Sequence, residues 1–123
     1  MKRIMTRRGL AMALALALAM APVAGQPVLA QSETSISGTY RAAGMNPDGT
    51  KYSGRVQIAE QGSIVAINWQ IASQSYSGRG IRDGRVVTVD WGADTPVVYV
   101  VMANGELHGT WDNGAALERL IPQ

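Results

Sequence analysis

Between Arg85 and Asp112 the chain reads RVVTVDWGADTPVVYVVMANGELHGTWD, a stretch that leaves little choice of fold. Val87, Val89 and Trp91 alternate with Val86, Thr88 and Asp90, the period of two expected of a strand with one buried face. Gly92 to Pro96 interrupts, Val97 to Met102 reads as a strand apolar on both faces, and Asn104-Gly105 is a hairpin turn. Leu107, Gly109 and Trp111 then share a face of the next strand.

The same period recurs along the chain from Ile36. Strands are expected at Ile36 to Ala43, Lys51 to Glu60, Ile64 to Ala72 and Tyr76 to Arg82. Asn46-Pro47-Asp48-Gly49, Gln61-Gly62 and Asp83-Gly84 supply the turns between them. Asn113-Gly114 ends the seventh run, and Ala115 to Ile121 reads either as an eighth strand or as a short helical turn. No run is long enough for a helical crossover, so the sheet is antiparallel. Closing eight short strands into an up-and-down barrel removes the exposed edges and gives an interior that side chains can fill. The expected fold is therefore all-β, a small antiparallel barrel, with a two-sheet sandwich as the alternative. Gly38, Gly54, Gly78, Gly80 and Gly109 fall inside strands, where they allow coiling and close packing against a large neighbour.

Ahead of this domain, residues 1–30 carry the three parts of a secretory signal. MKRIMTRR is a basic start, Leu10 to Ala21 an apolar helical core, and Val28-Leu29-Ala30 a site for cleavage. Residues 31–35 form a flexible lead into a domain spanning 36–123. Pro22, Gly25, Gln26 and Pro27 cut the apolar run too short for a span, so no membrane anchor is expected after cleavage. Thr6-Arg7-Arg8-Gly9-Leu10 partly matches a twin-arginine signal and leaves the export route open. Four of the 11 Lys and Arg residues lie in this leader; the remainder carries seven against nine acidic residues. A mildly acidic domain lacks the basic face that nucleic acid requires. Cysteine is absent, which excludes disulfides, thiolate nucleophiles and cysteine metal sites.

Gly38-Thr39-Tyr40, Asn46 to Gly54 (NPDGTKYSG), Val89-Asp90-Trp91-Gly92, Val97-Val98-Tyr99 and Gly109-Thr110-Trp111 form a set of segments. Together they resemble a group of small exported proteins of alphaproteobacteria often labelled fibronectin-binding protein or left uncharacterised. The resemblance implies an exported all-β domain in periplasm or medium and contact with a host-matrix protein.

Candidate chemistry is sparse. His108 is the single histidine, with Glu106 two residues back; two ligands do not make a metal site, and neither a metal nor a cofactor is expected. No nucleophile is paired with a base in the sequence, so the domain is expected to be non-enzymatic. Trp69, Trp91 and Trp111 fall at inward positions, either as a plug in place of the absent phenylalanine or as the lining of a cavity; the short strands favour the plug. Arg79, Arg82 and Arg85 cluster around the Gly80–Gly84 hairpin, and Asp90 and Asp94 flank the loop after Trp91. These six, Arg79, Arg82, Arg85, Asp90, Trp91 and Asp94, are the candidate contact residues. The expected function is surface contact with a protein or a cell-envelope component. A small-ligand barrel, or an inhibitor of an exported protease or lysozyme, is the alternative.

Overall fold

The computed structural model describes residues 34–123; the expectations for the leader and for residues 31–33 lie outside them. Eight strands follow one another: β1 (Gly38–Met45), β2 (Lys51–Gln61), β3 (Ile64–Ile71), β4 (Gln74–Asp83), β5 (Val86–Asp90), β6 (Val97–Val101), β7 (Leu107–Trp111) and β8 (Ala116–Pro122). Each pairs antiparallel with the next, and β8 returns to β1, so the sheet is a closed barrel and not a sandwich. The segment left open between strand and helical turn is strand: β1 would otherwise present an unpaired edge, and Met45 to Tyr40 pair with Leu117 to Pro122. Ile36, expected in the first strand, instead lies in an arm ahead of it.

Alternation decides which side chains enter. Val56, Val65, Val87, Val89, Leu107 and Leu120 point inward and are fully buried, as is Tyr99. Each buried Val or Leu contributes about 1.5–3 kcal/mol relative to exposure. The outward positions include Arg41, Arg55, Asn68, Gln70, Arg79 and Arg119, beside the exposed Ile64, Ile81, Val86, Val100 and Leu117.

The two ends differ. At one, the turns after β2, β4 and β6 lie with the start of β1 and the end of β8. Ile36, 3% exposed, is tucked in, and its carbonyl accepts from Tyr40 Oη at 2.7 Å. Beneath it Arg82, 8% exposed, enters from β4 and donates Nη1 to Glu60 at 3.0 Å. Arg82 Nε donates to Gly84 O at 2.8 Å, and Ile36 N donates to Glu60 at 2.9 Å. This end is closed. At the other end, the turns after β1, β3, β5 and β7 surround an opening.

Candidate functional site

The opening leads to a cavity of about 220 Å³ lined by Asn46, Tyr52, Trp69, Ile71, Tyr76, Trp91, Val97, Trp111 and Glu118. Its floor is set by a row of residues in register across five strands. Glu118 on β8 lies opposite Gly44 on β1 and Gly109 on β7; Gly44 in turn lies opposite Tyr52, and Gly109 opposite Tyr99. The row reads Tyr99–Gly109–Glu118–Gly44–Tyr52. Both tyrosines reach across a glycine to the carboxylate. Tyr52 Oη donates to Glu118 Oε1 at 2.7 Å, and Tyr99 Oη donates to Oε2. The glycines make this possible: a Cβ at 44 would come within 2.1 Å of the Tyr52 ring, and one at 109 within 2.5 Å of the Tyr99 ring.

Trp69 Nε1 completes the floor, donating to Glu118 Oε2 at 2.9 Å and to Tyr99 Oη at 3.1 Å. Glu118 is only 6% exposed, yet all three of its donors are neutral, and no cation pairs with it among the described residues. Burial raises the pKa of Tyr99 well above the ordinary phenol value, and the charge of Glu118 raises it further. The same two causes, in the same order, raise Tyr52. Both hydroxyls therefore stay protonated and donate throughout the neutral range.

Above the floor stand rings at steep angles to one another. Tyr52 and Trp111 meet edge to face at 6.4 Å, Trp111 and Trp91 at 5.8 Å, and Trp91 and Tyr76 at 6.2 Å. Such pairs contribute about 0.5–1.5 kcal/mol beyond their buried area. The indole N–H groups are all engaged: Trp111 donates to Tyr52 Oη at 3.0 Å and Trp91 to Thr95 O at 3.1 Å. A ligand entering here meets aromatic rings, one carboxylate and the Asn46 amide at the rim. Three residues with left-handed backbone that are not glycine, Ala72 (φ 57°), Asp112 (51°) and Asn113 (54°), sit in turns at this end.

Of the six expected contact residues, the cavity gathers Trp91 alone. Arg82 is drawn into the closed end and held by Glu60, which withdraws it from any surface cluster. Arg79 lies on the outer wall opposite Asp90 in register, and Arg85 donates Nε to Val101 O at 3.0 Å. Asp90 accepts from Gly92 N at 3.0 Å as a turn cap, and Asp94 is exposed. Plug and cavity lining are not exclusive: Trp69 is buried in the core and also forms the cavity floor, while Trp91 and Trp111 are half-buried at the mouth. His108 is on the outer wall against Glu106 at 2.8 Å, away from the cavity; this hydrogen bond is the main cause that lowers the Glu106 pKa. Glu118 was the residue the sequence hid. Ala116, Glu118 and Leu120 share an inward face, so a carboxylate among apolar neighbours was its signal.

No family model and no curated protein matches this chain. Among solved structures it is similar to a redesigned β-barrel, at 13% identity and a TM-score of 0.53 over 72% of this chain and 91% of that one. The likeness is one of fold.

Proposed function

We propose that the protein is an exported, non-enzymatic binding barrel that holds a small ligand in its aromatic mouth. The carrying observation is the cavity itself, walled by Tyr52, Tyr76, Trp91 and Trp111 over a buried, hydrogen-bonded carboxylate. Sites for small molecules have this composition: mostly apolar surface with few placed polar groups. Its volume falls below the roughly 300–1,000 Å³ typical of drug-sized ligands, so the ligand is small. Export rests on the leader pattern of residues 1–30. The non-enzymatic reading is supported by the partners of Glu118, an indole and two phenols whose raised pKa values keep their protons in place.

All three tryptophans of the chain line the cavity, so intrinsic fluorescence reports on it directly. Titrating the purified protein with small cations, neutral molecules and anions is expected to give a saturable change with at least one class. Asn46→Trp, which fills the rim, is expected to abolish it. A flat response to the whole panel would remove the reading.

A second reading, contact with a macromolecule, is favoured by apolar side chains on the outer wall. Ile64 faces Ile81 and Val86 faces Val100 across neighbouring strands, all at least 40% exposed and Ile81 at 53%. A matrix partner such as fibronectin is the form implied by the resemblance of the sequence. Capture on immobilised fibronectin that disappears in Ile81→Glu would support it; capture equal to that of an unrelated barrel would end it.

A further inference from the structure

Glu118 is an unbalanced charge. A carboxylate removed from water is ordinarily paired with a cation, as Glu60 is with Arg82 at the closed end. Glu118 has three neutral donors and no countercharge among the described residues, though it lines a cavity open to ligands. Its two oxygens offer about four acceptor positions, so the three donors leave one unused. Facing it are aromatic rings whose polar edges are already engaged and whose π faces carry negative potential. Apart from the neutral Asn46 amide at the rim, the electrostatic features of the mouth share one sign.

From this we infer that the mouth selects a small organic cation, an alkylammonium or quaternary ammonium group, whose charge is balanced by Glu118 and whose carbons lie against Trp91, Trp111 and Tyr52. The inference deepens the small-ligand reading and rests on it. An anion meets the field of a buried carboxylate with no cationic side chain in the lining to offset it. A hard metal ion requires six or more oxygen ligands in the case of calcium, and no set of three or more acidic or histidine side chains is grouped among the described residues. A weakly hydrated organic cation gives up little water on entering and gains both the π faces and the carboxylate. A cavity of about 220 Å³ suits a compact head group and not a long chain.

The test compares choline with its uncharged isostere 3,3-dimethyl-1-butanol on the purified protein, by tryptophan fluorescence and calorimetry, with methylammonium, acetate and calcium as further arms. Choline is expected to bind about tenfold or more tighter than the isostere, with acetate and calcium inert. Glu118→Gln is expected to erase the gap between the two isosteres. Trp91→Leu, which removes no partner of Glu118, is expected to weaken choline several-fold and the neutral isostere less. If Glu118→Gln fails to fold, the isostere pair on the native protein and the Trp91→Leu comparison still decide. Equal or tighter binding of the neutral isostere, of acetate or of calcium overturns the cation while leaving a ligand site at the mouth. If nothing saturates, both the cation and the small-ligand reading fall.

Discussion

Each end of this barrel draws one glutamate inward, Glu60 part-buried and Glu118 buried, and the two are handled in opposite ways. At the closed end Glu60 meets Arg82 and the Ile36 amide, with its charge balanced by the guanidinium. At the open end Glu118 is supported by Tyr52, Tyr99 and Trp69, which hold its geometry and leave its charge. The same residue type in the same barrel is structural in one place and available in the other. What separates them is the countercharge, which burial alone does not report.

The sharpest way to break this comparison is to neutralise each glutamate in turn. Glu60→Gln removes the carboxylate that faces the buried Arg82 guanidinium, so urea unfolding is expected to show a loss of about 3–5 kcal/mol. Glu60→Leu combined with Arg82→Met is expected to recover most of it. Glu118→Gln strands no charge and only mismatches neutral donors, a loss of about 1–3 kcal/mol. Equal losses would mean that the two ends do not differ in the way described.

A pH series separates the ends further. Tyr99 and Tyr52 titrate higher in the folded barrel than in the unfolded chain. Below the unfolded phenol value both states keep the proton, and that part of the stability is fully present. Above pH 10 the unfolded chain releases protons that the barrel retains, so stability falls as pH rises toward the folded values. For the fully buried Tyr99 the slope approaches about 1.4 kcal/mol per pH unit. Thermal melts between pH 9 and 12 are expected to show the decline, with Tyr99→Phe flattening it. Tyr40, at the closed end, is also raised, first by burial and then by Glu60, with Arg82 opposing. Tyr40→Phe should therefore flatten the curve less.

The smallest expected effect concerns the turns. Ala72 holds a left-handed backbone at the mouth, where Gly62 and Gly84 occupy the corresponding conformation at the closed end. Ala72→Gly is expected to raise stability by about 1 kcal/mol in the same urea assay.

Much of the barrel could be read from residues. Alternation in Val86–Asp90 and Ile64–Ile71, with Asp83-Gly84 and Asn104-Gly105 between runs, specifies hairpins locally. The eighth strand could not be read this way, because Ala116, Leu117 and Leu120 also suit a helical turn and only the waiting edge of β1 decides. The site was less legible for a related reason. Trp91 announces itself, but Arg82 looks like one of three surface arginines until the register turns it inward toward Glu60, 22 residues away. Glu118 requires accepting a charge on a buried face, and its tyrosines are found only by counting across strands.

That row has a bearing on how the chain folds. Seven of the eight strand pairings join neighbours in sequence, whereas β1 and β8 join the two ends of the domain. Tyr52 and Glu118 are 66 residues apart and meet across this seam. Loop closure disfavours such a contact until the hairpins on either side are in place, so the cavity floor is assembled among the last steps of folding. A molecule seated on Glu118 spans the joint that holds the barrel shut, and its occupancy would be read as slower opening of that seam.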